Sequence, residues 1–406
     1  MKSRQPKSSS AATENPKTAA QKGAFTVVAL GASAGGLEAY TEFFHGLPAN
    51  IGMAFVLIQH LDPTHDSLLT EIIAKATRMP VAEVKAGVKI KPNHVYVIPP
   101  NTLMAISEGI FTLTPRSKEP GQHLSVNFFM RSLAQDRKSG AIGIVLSGTG
   151  SDGTLGVTDI KEAGGITFAQ EPTSAKYDGM PRSAIASECV DFVLQPKGIA
   201  KELEWINRHP HVSQVKEPAG AELALSGKGD FDRIVDLLHK VTRVDFSQYR
   251  RNTIHRRALR RMVILKMDSL SQYAKYLKDH PEEVEKLYED ILIHVTSFFR
   301  DYEAFEALKS HVYPRIVNDK SNKGTIRMWA PGCSTGEETY SLAMTLLEFL
   351  GDRVASFQVQ IFGTDLNEKS VQKARAGVYR ESIAEEIAPG APPAVFCEGG
   401  WGVPRQ

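Results

Sequence analysis

The stretch FTVVALGASAGGLEAY, residues 25–40, decides the fold prediction for the first half of the chain. It begins with the apolar run Phe25–Leu30, passes through the glycine-rich turn Gly31–Gly36, and continues as an amphipathic helix. A continuous apolar run is typical of a strand that is buried on both faces, and glycines allow a tight turn from strand to helix. This strand–turn–helix unit predicts an α/β fold.

The same alternation continues to about Trp205. Further candidate strands are Ala54–His60, Val95–Pro99, Ala141–Gly148, Ile166–Gln170 and Asp191–Gln195. Helical patterns lie between them, and strands separated by helices favour a sheet covered on both faces. The first half is therefore predicted to be a doubly wound, mostly parallel sheet.

The pattern changes after a stretch with little periodicity. From Asp230 to about Ser310 the sequence is helical throughout, and the strands Thr325–Ala330 and Gln358–Leu366 then restore an α/β alternation. The sequence thus predicts a small helical domain followed by a partial α/β domain. The predicted boundaries are a solvated tail over 1–24, a first α/β domain over 25–206, a linker over 207–229, a helical domain over 230–294, a partial α/β domain over 295–386 and an atypical tail over 387–406.

Composition excludes several classes of protein. Lys and Arg number 48 against 46 Asp and Glu, so the net charge of +2 does not favour nucleic-acid binding. Cys189, Cys333 and Cys397 lack CxxC spacing, which excludes a disulfide scaffold or thiolate zinc site and favours a reducing cytosol. No apolar run is long enough for a membrane helix, and Met1–Ala24 lacks the apolar core of a signal peptide. We expect a cytoplasmic chain with no metal site and no membrane insertion.

Three side chains follow candidate strands of the first domain. Ser33 lies in the turn after the first strand, His60 ends the second, and Asp152 lies in the loop GTGSDG after Ala141–Gly148. Parallel strands meet at their carboxyl ends, where open α/β sheets place their sites. A serine hydroxyl needs a base and an oxyanion-binding group to act as a nucleophile, so the three residues form a candidate Ser-His-Asp triad.

Other interpretations of the same residues remain open. The turn GASAGG could bind a nucleotide phosphate, a strand-end histidine is often a polar cap, and GTGSDG could be only a turn. His45, His65 and Asp62 compete for the catalytic roles.

Four blocks in order, GASAGGLEAY, VLIQHLDPTH, VLSGTGSDGTLG and AQEPTSAKYDGMPRSAI, resemble the catalytic domain of CheB-type chemotaxis methylesterases. The resemblance implies hydrolysis of glutamate methyl esters on methyl-accepting chemotaxis receptors without a cofactor, with Ser33, His60 and Asp152 as the triad. It also implies histidine kinase signalling proteins as partners. The family's amino-terminal receiver domain does not fit into 24 residues, so we do not expect control by phosphorylation within this chain.

A second glycine-containing turn, APGCSTGEE (330–338), also joins a strand to a helix. Gly332 allows close backbone approach to a cofactor, and Asp365 at the end of the next strand could accept hydrogen bonds from ribose hydroxyls. The pattern is also compatible with any nucleoside cofactor or merely with a turn beside a strand-end acid. Glu337 and Glu338 fit equally well as acids in the first turn of the helix, stabilised by its dipole.

VTSFFRD, APGCSTGEETYSLAM and GTDLNEKSVQKARAGVY resemble CheR-type receptor methyltransferases, and the helices over 230–294 resemble that family's amino-terminal domain. The resemblance implies S-adenosylmethionine as cofactor, held by Thr296, Arg300, Glu337 and Asp365. It fades near Glu385, so we expect a partial class I methyltransferase domain with absent or weak methyl transfer. The Pro- and Gly-rich composition after Ile387 suggests that the natural reading frame was lost there.

A basic helix precedes this region. Its basic residues are Arg250, Arg251, His255, Arg256, Arg257, Arg260 and Arg261. The arginine pairs one turn apart form a cationic ridge, for which a solvated face, a nucleic-acid contact and docking onto acidic receptor helices are the competing interpretations. For the whole chain, a general small-ester hydrolase and a non-catalytic signalling scaffold are the alternatives to a receptor methylesterase.

Overall fold

The computed structural model describes residues 25–59, 68–116, 124–208, 228–246, 248–292, 296–318 and 324–379. Several predicted features lie outside these ranges and stay predictions: His60, Asp62, His65, the two tails and most of the linker.

The first domain is an α/β domain built on one parallel sheet. Its elements in chain order are β1 (Val27–Ala32), α1 (Gly36–His45), β2 (Ala54–Gln59), α2 (Leu69–Ala76), β3 (Val81–Glu83), β4 (Val95–Val97), β5 (Thr102–Ser107), β6 (Ile110–Pro115), α3 (Ser125–Arg137), β7 (Ala141–Val145), α4 (Thr154–Glu162), β8 (Ile166–Gln170), α5 (Gly179–Ile185), β9 (Phe192–Leu194) and α6 (Pro196–Arg208). Within the described residues, seven strands pair in the order β3-β4-β2-β1-β7-β8-β9, and every pairing is parallel.

The apolar run of β1 divides its side chains between two cores. Val28 and Leu30 pack into the core on one face of the sheet, whereas Val27 and Ala29 pack into the core on the other. All four are fully buried. A strand with a core on both faces needs an unbroken apolar sequence, which is why the run Phe25–Leu30 indicated a central parallel strand.

The antiparallel hairpin β5–β6 and the edge strand β3 were not among the predicted strands. Only one face of the hairpin is buried, by side chains such as Met104, Ile106 and Phe111. Apolar and polar residues therefore mix along it, and no continuous apolar run marks the strands. The hairpin turns at Glu108 and Gly109, which both have positive φ angles.

The helical domain consists of α7 (Lys228–Thr242), α8 (Arg251–Ile264), α9 (Leu270–Asp279) and α10 (Pro281–Ile291). These helices enclose a core of their own, which includes Phe231, Tyr273 and Leu287.

The last part continues through α11 (Tyr302–Ala307), α12 (Tyr313–Asn318), β10 (Gly324–Pro331), α13 (Glu337–Leu350), β11 (Phe357–Thr364) and α14 (Glu368–Ala376). Strands β10 and β11 pair in parallel, so α13 is the crossover helix of a βαβ unit. The sheet of this part has two strands in the portion of the chain that the structure describes. No described helix is both long and apolar enough to span a bilayer.

Candidate active site and cofactor turn

Ser33 lies on the tight turn between β1 and α1. Its backbone N–H donates to the carbonyl oxygen of Ser147 at 3.0 Å, and its own carbonyl accepts from the N–H of Gly36 at 3.0 Å. Gly35 has φ +73°, a conformation that favours glycine, and α1 begins at the next residue. The hydroxyl-bearing residue is therefore held at the carboxyl edge of the sheet, beside the first N–H groups of a helix.

Ser147 organises the backbone around Ser33. Its hydroxyl donates to the carbonyl of Ala34 at 2.9 Å and accepts the N–H of Tyr177 at 3.0 Å. Its own N–H donates to the side-chain oxygen of Gln170 at 2.9 Å. Ser147 is 1% exposed, so this hydroxyl joins two loops in a dry environment. Sequence reasoning missed Ser147 and Gln170, although both lie at the ends of predicted strands.

Asp152 is almost completely buried beside the start of α3. Its carboxylate accepts backbone N–H groups from Val126, Asn127 and Gly153, each at 2.9 Å. Oriented N–H donors at a helix N-terminus stabilise a negative charge. The charge of Asp152 also acts on Arg116, whose pKa is lowered by burial, an effect that Asp152 opposes. Arg116 belongs to no pattern in the sequence that could have identified it.

The third triad residue, His60, lies outside the described residues, so its role stays a prediction. Strand β2 ends at Gln59, which pairs in register with Ala32, the residue before Ser33. The competing candidate His45 lies in the last turn of α1.

The second predicted site is the turn between β10 and α13. Gly332 has φ +70°, and a Cβ atom there would meet no other atom within 4 Å. The carboxylate of Asp365 accepts the N–H of Ser334 at 2.9 Å and that of Asn367 at 2.8 Å. Asp365 therefore holds the turn directly, whereas the sequence predicted only a contact with the cofactor.

Glu337 begins α13 next to this turn. Burial raises the pKa of its carboxyl group, although a hydrogen bond from Thr335 at 2.6 Å acts in the opposite direction. The hydroxyl of Tyr379, which lies just after α14, donates to the carbonyl of Thr335 in this turn at 2.7 Å.

The turn has room and an unpartnered polar atom for a bound polar ligand such as the predicted cofactor. The space above Gly332 is open, and the buried hydroxyl oxygen of Ser334 has no hydrogen-bond partner among the described residues. A buried polar atom without a partner is costly, and a bound polar ligand would satisfy it.

The structure places Thr296 and Arg300 against the first domain. Together with Asp301 they line a cleft of about 490 Å³ whose opposite wall includes Asp159 and Glu162 of α4. The Arg300 guanidinium lies 3.6 Å from the Glu162 carboxylate. The neighbouring Phe298 and Phe299 instead pack towards α13 and Tyr379. Of the predicted cofactor residues, Thr296 and Arg300 therefore face the first domain. The others lie at the turn between β10 and α13; they are Gly332, Glu337 and Asp365.

The predicted cationic ridge on α8 is not a free surface. Arg257 and Arg260 are each 4% exposed and contact the first domain, so the interpretation of a solvated face is wrong for them. Arg261 is also buried and pairs with Glu283 inside the helical domain. Only tertiary packing distinguishes these arginines from the exposed Arg250 and Arg251.

Three known family models match successive parts of the chain. The family described as CheB methylesterase matches residues 28–203. The all-alpha domain of CheR methyltransferase matches residues 229–292, and the SAM-binding domain of CheR methyltransferase matches residues 294–398.

Several curated proteins are similar to parts of this chain. A Leptospira interrogans protein, provisionally named a protein-glutamate methylesterase/protein-glutamine glutaminase, is 31% identical over 44% of this chain and 92% of its own length. A Carboxydothermus hydrogenoformans protein with the same functional name is 34% identical over 49% of this chain and 61% of its own length. An uncharacterised 104.1 kDa protein of Rhodobacter capsulatus is 34% identical over 81% of this chain and 36% of its own length.

The chain thus spans from about a third to three fifths of the first relatives that it matches. Among solved structures, the CheB methylesterase catalytic domain of Thermotoga maritima is 27% identical, with a TM-score of 0.42, over 45% of this chain and 98% of that one. The chain belongs to the CheB methylesterase family and continues from that domain into the helical and SAM-binding domains of CheR methyltransferases.

Proposed function

We propose that the first domain hydrolyses glutamate methyl esters on chemotaxis receptors, with Ser33, His60 and Asp152 as the catalytic triad. The main support is the position of Ser33, whose turn is fixed between Ser147 and the start of α1. The pairing of Ala32 with Gln59 gives second support, because residues 33 and 60 directly follow paired residues at one edge of the sheet.

In this mechanism His60 removes the proton from the Ser33 hydroxyl, whose oxygen attacks the ester carbonyl. Backbone N–H groups near Gly35 receive the negative charge that develops on the carbonyl oxygen. His60 then donates the proton to the departing methoxide, which leaves as methanol. His60 then takes a proton from a water molecule, whose oxygen attacks the acyl-enzyme, and returns that proton to the departing Ser33 oxygen, which releases the glutamate side chain. Asp152 orients His60 and stabilises its protonated form.

The test is methanol release from methylated receptor membranes by the wild type and by Ser33→Ala. We expect the variant to lose at least about a thousandfold in turnover, because the nucleophile is absent. Ser310→Ala, at an exposed serine in the last part of the chain, is the matched control and keeps full activity. Turnover retained by Ser33→Ala would refute the assignment.

Measurement of methanol release also distinguishes the proposal from its two alternatives, a general small-ester hydrolase and a non-catalytic signalling scaffold. A general small-ester hydrolase would turn over small esters faster than methylated receptor. A non-catalytic scaffold would release no methanol from either substrate. The proposal includes a cytoplasmic location, because the receptor helices that carry the methyl esters are cytoplasmic, and it includes histidine kinase signalling proteins as partners.

We also propose that the turn at Gly332 binds S-adenosylmethionine, the methyl donor of the matching family. The match to the SAM-binding domain and the unpaired hydroxyl of Ser334 support this assignment. The cofactor would supply an activated methyl group, and Asp365 would hold the turn in its binding conformation. Calorimetric titration tests it: stoichiometric heat of binding supports the proposal, and its absence contradicts it. Whether methyl transfer is weak, as the sequence predicts, needs a separate transfer assay.

A further inference from the structure

Helix α8 carries the densest positive charge in the helical domain, and its inner face contacts the first domain. The Arg257 guanidinium donates to the carbonyl of Lys161 at 2.7 Å and also to that of Glu162. These are the last two carbonyls of α4, and the Lys161 carbonyl also accepts the N–H of Gly164 at 3.0 Å. Cations at a helix C-terminus also interact favourably with the helix dipole. Arg257 therefore caps a helix of the neighbouring domain.

Arg260 lies one turn further along α8 and is equally buried. Its Nε donates to the carbonyl of Gly165 at 2.9 Å, and its two terminal nitrogens bind the carboxylates of Asp191 and Asp290. The Arg260 side chain is 1% exposed, and the two aspartates are 2% and 5% exposed. Lys161 lies 3.7 Å from Asp191 and 3.9 Å from Asp290. Two cations thus face two anions in a largely buried cluster contributed by both domains.

Further contacts extend this interface. Val263 of α8 packs into the core of the first domain beside α6. Lys266 binds the carboxylate of Glu202 at 3.0 Å and lies over the ring of Trp205 at 5.2 Å. The interface therefore combines buried charge, capping and apolar packing, which together define one relative orientation of the two domains.

The interface lies away from the candidate active site. Helix α4 begins two residues after Asp152 and ends beside Arg257, so its nine residues separate the two by roughly 13 Å. Gly165 and Asp191 directly precede β8 and β9, which places Arg260 at the amino edge of the sheet. Ser33 and Asp152 lie at the carboxyl edge.

From these contacts we propose that Arg257 and Arg260 dock the helical domain onto the first domain of the same chain, which occludes the cationic face of α8 from acidic partners. In the docked state Arg257 and Arg260 are closed to an acidic helix, whereas Arg250 and Arg251 stay exposed. Binding of an acidic partner to Arg257 and Arg260 requires the two domains to separate. This proposal does not depend on the esterase assignment, because it rests only on the interface.

Calorimetric unfolding of the full chain tests the docking. We expect the first domain and the helical domain to unfold in one transition in the wild type. Arg257→Met combined with Arg260→Met retains apolar length but removes the charges, and splits this transition into two. Arg251→Met is the matched control, because Arg251 is exposed on the same helix and pairs with Asp232 of its own domain. A single transition in the double variant, at the wild-type temperature, would overturn the proposal.

Occlusion is tested with variants that leave α8 unchanged. The double variant Asp191→Ala with Glu202→Lys removes one carboxylate partner of Arg260 and places a second positive charge beside Lys266. The probe is a synthetic helical peptide of repeating glutamate and alanine. We expect the opened variant to bind it with a dissociation constant at least about tenfold below the wild-type value, because apparent affinity scales with the fraction of competent molecules. Equal affinities in a variant with wild-type far-UV circular dichroism would overturn the proposal. Light scattering identifies the docked partner: a monomer supports docking within one chain, and a dimer held by this interface refutes it.

Discussion

The backbone N–H of Ser33 donates to the carbonyl oxygen of Ser147, and the Ser147 hydroxyl donates in turn to the carbonyl of Ala34. Ser147 thus holds the nucleophile turn at two points, and its hydroxyl also accepts the N–H of Tyr177. The candidate nucleophile is therefore positioned by Ser147, in the loop after the neighbouring strand β7, as well as by its own turn.

Ser147→Ala therefore weakens catalysis without changing the nucleophile itself. The substitution leaves the N–H of Tyr177 without its acceptor and frees the Ala34 carbonyl, which costs about 1–3 kcal/mol for a buried donor. We expect kcat to fall roughly tenfold or more with little change in KM, measured as methanol release. Ser147→Thr retains the hydroxyl and recovers most of the activity if it is accommodated. A KM effect alone would contradict the positioning role.

Gly35→Ala tests the tightness of the same turn. A Cβ atom at Gly35 would lie 2.7 Å from the Ser147 hydroxyl oxygen, in addition to the strain of φ +73°. Gly87→Ala is the matched control, because Gly87 has φ +79° but nothing within 4 Å of its Cβ position. We expect Gly87→Ala to cost about 1–2 kcal/mol of unfolding free energy from the backbone alone. Gly35→Ala should cost more and abolish ester hydrolysis; equal costs would show that the turn tolerates the methyl group.

Asp152→Asn tests the carboxylate that faces α3. Because both carboxylate oxygens accept backbone N–H groups, an amide NH₂ group at this position meets at least one N–H donor. We expect a loss of about 1–3 kcal/mol in unfolding free energy, together with loss of ester hydrolysis. Urea unfolding and methanol release measure the two effects. Wild-type stability would show that the carboxylate does not cap α3 in solution.

Gly332→Ala tests the cofactor turn. The added methyl group meets no neighbouring atom within 4 Å but would project into the open space above the turn. We expect S-adenosylmethionine affinity to fall at least about tenfold by calorimetry, since the backbone can no longer approach the ligand closely. Gly351→Ala, at another glycine with positive φ and open surroundings, should retain wild-type affinity. Identical affinities in both variants would place the ligand elsewhere.

The domain interface should weaken in strong acid. Burial opposes ionisation of Asp191, but Arg260 and Lys161 outweigh it, so the pKa of Asp191 lies below its ordinary value. Its contribution to stability is fully present above the unfolded-state pKa of about 3.9 and is lost as the pH falls through the folded value. Asp191→Asn should flatten the decrease in unfolding free energy below about pH 4, measured by urea unfolding. The same slope in the wild type and in Asp191→Asn would refute this linkage.

Much of the first domain could be predicted from local sequence. Parallel strands that are buried on both faces require continuous apolar runs, and the runs at β1, β2, β7 and β8 marked four strands of the observed sheet. The hairpin β5–β6 was missed because a sheet with one buried face does not produce such a run. The location of Ser33 and Asp152 at the carboxyl edge follows from chain order, since Ser33 directly follows β1 and Asp152 lies in the loop after β7.

The sequence pattern also predicted that a second strand–helix–strand unit with a glycine turn follows the helical domain. Tertiary structure decided what the charged side chains do. Arg260 meets Asp191 and Asp290, and Arg300 meets Glu162, because helices that are distant in sequence pack together. The spacing of the arginines along α8 is compatible with a solvent-exposed face, with an acidic partner or with packing against another domain. Local periodicity specifies which residues share a face, whereas the packing of that face against a neighbour depends on contacts that no local pattern encodes.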